Sequence, residues 1–432
     1  MFDLLVLGGG IAGMTAAATT VRGGGSAMVV EKGPLLGGSG QYAGYIWTAP
    51  DHDVMDRVNP GGDLGLKRAL VDDFDDAVQW IGSLGVSCGK RVPVIGYGRG
   101  HRFDTAHYVD GCRHVVRENG VIVTEASARR LLLDDGVVRG AEIGLADGSA
   151  RTVEATATLL ATGGFQADPE LRARYLHEQA RDVELRSNPF SSGDGLRLAI
   201  EAGAAIGSEG AGFYGHLIPS GVALEPELFV DITLYYSEHA ALFNLAGERF
   251  VDETAADHLT AMALLDQPEA RGLLVTDARG YREWITGAYV EGADSLDKFA
   301  LARSRGARCV VADSASDFAE MPAEWGYDGP KIAEELGRLA RGESAGPGRE
   351  SDPRALDEPP YYVVEARPAV TFPFTGVRID PRARVLSSSG APIPGLFAAG
   401  ADIGGLYERA YAGGLAPAIV FGRRAAAGSL VN

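Results

Sequence analysis

Leu4-Leu5-Val6-Leu7 is a short continuous apolar run that breaks at Gly8-Gly9-Gly10 and resumes as Ile11-Ala12-Gly13-Met14-Thr15-Ala16-Ala17-Ala18. This pattern predicts a strand covered on both faces, a tight turn and a helix. A second apolar run, Ala27-Met28-Val29-Val30, ends on Glu31 and predicts a second strand. Lys32 to Pro50 holds too much glycine for a regular element and reads as a long loop. Leu64 to Leu84 has helical spacing, with Asp72-Asp73-Phe74-Asp75-Asp76 as a solvated face, and Asp104 to Asn119 predicts another helix. Val121 to Thr156 alternates between apolar and polar, with turn signals at Asp134-Asp135-Gly136 and Asp147-Gly148, so a small antiparallel meander is expected. Ala157 to Ala161 then reads as a buried strand entering the turn Thr162-Gly163-Gly164-Phe165, and Ser192-Gly193-Asp194-Gly195 opens a helix running to Gly203.

From about Gly207 to Arg367 the texture changes to short apolar runs between polar loops, including an exposed Gly/Pro-rich stretch from Arg341 to Glu358. Near the end of the chain the first texture returns, with a turn, strand and glycine turn over Gly390 to Asp402 and then a helix from Pro417 to Ala427. With 432 residues, two domains are expected. The first comprises residues 1–207 and 368–432, an α/β, Rossmann-like domain. The second, 208–367, is an α+β insertion within it.

A net charge of −18 argues against a nucleic-acid or anionic-membrane partner, since both attract Lys/Arg-rich surfaces. Cys88, Cys112 and Cys309 are widely spaced and form no ligand pattern, which suits a reducing compartment. Met1 leads directly into the first strand without a basic, cleavable leader, and no run reaches about 18 apolar residues. A cytoplasmic protein without a membrane span is expected.

Gly8, Gly10 and Gly13 have the G-x-G-x-x-G spacing of a pyrophosphate turn, with the helix beginning at Ile11 and Ala12 offering its first amides to an anion. Glu31, at the end of the second strand, stands where such folds hold the ribose hydroxyls of an adenosine. The competing reading is a glycine-rich turn with no ligand.

Five punctuated stretches stand in order: the Gly8 to Gly13 turn, Glu31 with Gly37-Gly38-Ser39, Ala161-Thr162-Gly163-Gly164-Phe165, Ser192-Gly193-Asp194-Gly195, and Gly395-Leu396-Phe397-Ala398-Ala399-Gly400. With Leu242-Phe243-Asn244-Leu245-Ala246-Gly247-Glu248-Arg249-Phe250-Val251-Asp252-Glu253, they resemble the flavoprotein family of soluble fumarate reductases, succinate dehydrogenase flavoprotein subunits and 3-ketosteroid Δ1-dehydrogenases. The resemblance spans essentially the whole chain. It implies FAD, with its ADP end on the first turn and the second domain capping the isoalloxazine ring. It further implies that Gly8, Gly10 and Gly13, with Ile11 and Ala12, hold the pyrophosphate and that Glu31 holds the ribose. Gly38, Ser39 and Gly40 would line the flavin, and Thr162 and Gly163 the adenine side. Asp402 would reach the ribityl chain, although Ala401 intervenes where the family has its acid directly after the glycine. Gly414, Leu415 and Ala416 would present helix amides to the flavin's pyrimidine end. Lys32, Gly37, Gly164, Asp194 and Gly400 complete the cofactor set. The histidine motif of covalent flavin attachment has no match, so non-covalent FAD is expected.

Fumarate reductases clamp carboxylates and deliver protons with arginines, and here those positions differ. Eight residues after Arg249 stands Asp257, followed by His258, and Tyr411 occupies the later clamp position. Thr371-Phe372-Pro373-Phe374 replaces the histidine expected before Gly376-Val377. Loss of bidentate arginines disfavours a small dicarboxylate. Tyr411 is similar to the tyrosine of ketosteroid dehydrogenases that holds the substrate ketone, although Leu415 stands where those enzymes have a further glycine. The expectation is an FAD-dependent oxidoreductase that forms or saturates the carbon–carbon bond beside a neutral, cyclic carbonyl, in exchange with an unidentified electron donor or acceptor. Tyr411 would polarise the carbonyl, and Tyr235, Tyr236, Asp257 or His258 would handle the α proton. His216 either lines the site or is a loop histidine satisfied by backbone; Tyr45, Trp47, Tyr97, His101, Glu238 and His239 are open in the same way. The alternatives are a dicarboxylate reductase clamping through Arg409 or Arg378, a non-catalytic flavin redox sensor, and a nicotinamide-binding protein.

Overall fold

The computed structural model describes residues 1–207, 209–288 and 295–430. The chain divides into two compact units: Met1–Leu176, Ser187–Phe213 and Phe372–Asn432 form one, His177–Arg186 and Tyr214–Thr371 the other. Ser208, at the expected domain boundary, lies outside the described residues.

The first unit is built on a sheet whose centre is β1 (Phe2–Leu7), followed by α1 (Ile11–Arg22) and β2 (Ala27–Val30). Later in the chain come β3 (Ala150–Leu160), β4 (Pro392–Ala398) and α2 (Leu415–Ser429). The parallel order is β4-β3-β1-β2, with Leu4 opposite Ala27 on one side and Ala157 on the other. Leu4, Leu5 and Val6 are wholly buried, which is why their stretch is continuously apolar rather than alternating. α1 and α2 pack closely: a Cβ on Gly422 would lie 2.6 Å from the Ala12 carbonyl oxygen.

Four sequence expectations need correction. Gly120–Val123 does not open the meander but extends the parallel sheet beyond β2. The strand expected from Ala157 is the second half of β3, whose first half closes the meander. Its alternation gives way to a continuous apolar run where both faces become covered. The helix expected over Leu64 to Leu84 is two, Leu64–Asp72 and Phe74–Ser83, and Asp73 at the break pairs with Arg424 at 2.7 Å. The loop after Lys32 contains a strand, Tyr45–Thr48, paired antiparallel with Gly98–Arg102, because Tyr, Ile, Trp and Thr are all strand formers.

The second unit has a six-stranded mixed sheet around Tyr361–Pro373, which pairs antiparallel with Gly272–Thr276 and Cys309–Ala312 and parallel with Glu184–Leu185. Alternate residues feed two cores. Leu242, Leu274 and Val364 pack with Leu217 and Phe299, while Phe243, Leu273 and Val363 pack with Ile332 and Leu336.

Candidate active site

The glycine turn after β1 is shaped by backbone contact. Gly8 has φ +112°, and a Cβ there would sit 2.1 Å from the Ala161 carbonyl oxygen. On Gly13 a Cβ would meet the Gly8 carbonyl oxygen at 2.0 Å. Gly10 differs: nothing in the protein comes nearer than 3.9 Å to its added Cβ, and no side chain caps α1 there. The open space over Gly10 and the amides of the first turn of α1 fit a pyrophosphate. Glu31 is buried and braces the turn, accepting from the Gly9 amide at 2.7 Å and the Gly33 amide at 2.6 Å. Each oxygen keeps a lone pair for a ribose hydroxyl.

The remaining glycine motifs interlock beside this turn. The Gly37 amide donates to the Gly9 carbonyl oxygen at 2.8 Å, and Gly40 packs on Ile11, where a Cβ would come within 2.3 Å of that side chain. Ser39 Oγ lies 2.7 Å from Ser187 Oγ. Lys32 bridges to the fourth motif, donating to Ser192 Oγ at 2.7 Å and Asp194 at 2.9 Å. Asp402 is buried and accepts from the Thr162 amide, from Thr162 Oγ1 at 2.9 Å and from the Gly164 amide at 3.0 Å. Burial raises its pKa although these three donors oppose the shift. Thr162 Oγ1 also accepts from the Gly195 amide at 3.0 Å. Motifs far apart in the chain are thus one hydrogen-bonded assembly.

Tyr411 sits in an aromatic group of the same unit, edge-on to Trp47 at 5.1 Å and near Tyr407 and Phe372. Tyr97 belongs with it, donating to the Tyr411 carbonyl oxygen. His101 does not: it lies against Gly89, at 2.7 Å, and Phe74. α2 starts at Leu415 without a side-chain cap, so its first amides fit an electron-rich ring edge. The side chains of Arg378 and Arg409 are exposed.

In the second unit, strand Phe213–Pro219 carries His216 and helix Asp257–Leu265 begins with Asp257, both buried. His216 Nδ1 is 2.5 Å from Asp257 Oδ2. Burial pushes the His216 pKa down, with Asp257 pulling it up and Arg186 pushing it further down. Burial opposes charge on Asp257, but His216, His258 and Arg186 outweigh it and hold the carboxyl below its usual range. The helix N-terminus favours the same ionised form. His258 is buried, its Nδ1 3.9 Å from Asp257, and burial lowers its pKa to about 4. Tyr235 stands edge-on to His216 at 5.2 Å, as does Tyr214 at 4.8 Å. Glu238 accepts the Asp257 amide at 3.2 Å, and burial, then Asp257, raise it to about 7.

Tyr236 is separated from these groups, packed in the core with Leu217, Leu242 and Leu274. His239 is elsewhere too, stacked 3.6 Å from Trp284 and bonded to Asp352 at 2.7 Å. The Arg249 signature is a brace. Its guanidinium binds Glu253 at 2.9 and 2.5 Å with both side chains fully buried, and Glu253 accepts the Leu242 amide at 2.8 Å. Four residues on, the chain enters the helix that carries Asp257.

Arg186, buried beside Tyr235, is a neighbour of this group that the sequence does not announce. Its Nε donates to the Phe229 carbonyl oxygen and Thr233 Oγ1, both at 3.0 Å, one terminal nitrogen to Thr371 Oγ1 at 3.4 Å and the other to Tyr235 Oη at 3.0 Å. The two-residue strand before it carries no readable period, so nothing in the pattern marks Arg186 as buried.

These features define an FAD-dependent oxidoreductase of the fumarate reductase family, an enzyme class that works with a small-molecule substrate and an electron donor or acceptor. The chain matches the FAD binding domain family over residues 3–415 and belongs to it. It is 28% identical to a probable fumarate reductase of Shewanella frigidimarina over 462 residues, covering 98% of this chain and 73% of that one. A vinyl phenol reductase of Lactiplantibacillus plantarum is 24% identical, covering 95% and 91%. Among solved structures, 3-ketosteroid Δ1-dehydrogenase from Sterolibacterium denitrificans shares the fold with a TM-score of 0.79, 17% identity and coverage of 100% and 99%. Among the described residues no helix is long and apolar enough to cross a membrane, and no group of His, Cys, Asp and Glu is placed to hold a metal ion.

Proposed function

We propose that this enzyme catalyses α,β-dehydrogenation of a neutral, cyclic carbonyl compound, or the reverse enone reduction, with His216 as the acid/base at the α carbon. The His216–Asp257 hydrogen bond carries the reading. An ionised carboxylate only accepts, so Nδ1 bears the hydrogen and Nε2 presents its lone pair. Asp257 stands where the family's reductases have a proton-donating arginine, and it orients the imidazole and stabilises the cation formed when Nε2 takes a proton. FAD, when bound, supplies the two-electron hydride chemistry. The lowered His216 pKa keeps the ring neutral at neutral pH, which favours the dehydrogenation direction. Tyr411 lies in the first unit among aromatic rings that suit an apolar ring. The exposure of Arg378 and Arg409 disfavours the dicarboxylate alternative.

The glycine turn, Glu31 and the Lys32–Asp194 and Thr162–Asp402 contacts support the cofactor residues expected from sequence. We assign a non-covalent FAD, as Gly37 to Trp47 contains no histidine, and a cytoplasmic location, as Cys88, Cys112 and Cys309 are all free thiols.

The test is anaerobic mixing of oxidised holoenzyme with a panel of saturated cyclic ketones and with succinate, followed by flavin bleaching. Bleaching by a ketone, slowed about 10²–10⁴-fold in Asp257→Asn with FAD content unchanged, is the expected result. Bleaching by succinate alone favours the dicarboxylate alternative, and no bleaching at all favours a redox sensor.

A further inference from the structure

Arg186 carries a permanent charge inside the second unit, yet each of its hydrogen-bond acceptors is neutral: a backbone carbonyl, two threonine hydroxyls and a phenol. Among the described residues no carboxylate lies within salt-bridge distance of it, unlike the buried Arg249, which is matched by Glu253. An arginine buried without an anion in contact is costly to fold around, and a site that receives negative charge during its work is one reason to keep it. Five N–H groups belong to a guanidinium. The bonds described use the Nε hydrogen and one on each terminal nitrogen, leaving one donor on each terminal nitrogen.

The neighbourhood is that of the acid/base. Tyr235 accepts from Arg186 and stands edge-on to His216, and the field of Arg186 reaches both His216 and Asp257. The charged groups around it include Asp257, Asp231, whose carboxylate acts on Tyr235 and Lys298, and Lys298 itself, whose ammonium lies 5.1 Å from the Tyr235 ring centroid and donates to the Val230 and Asp231 carbonyl oxygens.

We propose that Arg186 is the oxyanion site of this enzyme, binding the carbonyl oxygen of the substrate as it becomes an enolate. The inference rests on the dehydrogenation reading above. As His216 Nε2 takes the α proton, the C–H electron pair moves into the carbon–carbon bond and the carbonyl π pair moves onto oxygen, opposite the guanidinium. Loss of the β hydrogen as hydride, for which FAD when bound would be the two-electron acceptor, then restores the carbonyl and leaves the α,β double bond. Charge on the oxygen is greatest between reactant and product, so a fixed cation there favours the reaction more than it favours ground-state binding.

A stable anionic oxygen on a ring tests the site without turnover. p-Nitrophenol titrated into oxidised holoenzyme near its own pKa is expected to bind as the yellow phenolate, with its apparent pKa lowered by at least one unit. In Arg186→Met the phenolate should bind at least tenfold more weakly and the pKa shift should vanish, while Arg186→Lys should keep part of it. Equal phenolate binding by Arg186→Met overturns the proposal. If that variant does not fold, the wild-type titration still decides: p-nitrophenol bound as the neutral phenol, or not bound, overturns it. Full turnover in His216→Gln, with phenolate binding still dependent on Arg186, rejects the acid/base reading and keeps the anionic subsite.

Discussion

The two units perform recognition with different materials. In the first, the proposed anion site is made of backbone, with glycines that admit close contact, two helix ends without caps and Glu31 tying down amides. In the second, the proposed acid/base group is made of side chains with shifted ionisation, the buried His216, Asp257 and His258 and the half-buried Glu238, with Arg186 beside them. A backbone site tolerates few substitutions at a few fixed spacings. A side-chain site instead depends on which residues the sheet brings together.

The largest effect should come at Gly8. Gly8→Val sets a branched side chain at φ +112° and against the Ala161 carbonyl, so no folded holoprotein is expected, read as absent flavin absorbance in the soluble fraction. Gly10→Ala sharpens the point. Its methyl meets no protein atom nearer than 3.9 Å, so the apoprotein should unfold within about 0.5 kcal/mol of wild type while FAD affinity falls about 10²-fold. An equal loss of apoprotein stability would mean that Gly10 serves the turn, not the ligand.

Next in size is the buried brace of the second unit. Arg249→Met strips Glu253 of its bidentate partner, leaving it only Arg349 at 3.8 Å among the described residues, and should cost about 3 kcal/mol in urea unfolding. The double variant Arg249→Met/Glu253→Leu should recover only part of that loss, because it removes the unpaired charge but leaves Arg349 and the Leu242 amide without Glu253.

The smallest effect is a pH dependence with opposing parts. Native His258 stays neutral down to about pH 4, whereas unfolded histidine takes a proton near 6.5, so stability falls as pH drops between those values, by about 3 kcal/mol in all. Glu238 keeps its proton up to about pH 7 when folded and releases it near 4.5 when unfolded, so its contribution falls as pH rises through that window. His258→Gln should leave the Glu238 slope exposed and Glu238→Gln should leave that of His258, measured as urea midpoints between pH 4.5 and 8.

The same contrast explains what is legible in the sequence. Gly8, Gly13 and the apolar run of β1 announce their geometry, because backbone contact and two-sided burial leave few residue choices. Asp257 is picked out as a candidate by its distance to Arg249 along the chain. Its bond to His216, 41 residues earlier, is not, since strand-to-helix contacts leave no local period. Arg186 is hidden for the same reason, and Tyr236, adjacent to Tyr235, reads as part of the site although it packs into the core.

The central claim is that a histidine, held by Asp257, moves the α proton. The measurement that meets it most directly is the rate of flavin bleaching by a saturated cyclic ketone as a function of pH, in wild type and His216→Gln. The account predicts a rate that rises with pH through a pKa below 6.5 and then levels, and a loss of about 10²–10⁴-fold in the variant with FAD content unchanged. A His216→Gln enzyme that bleaches at the wild-type rate, with the acid limb intact, would contradict it.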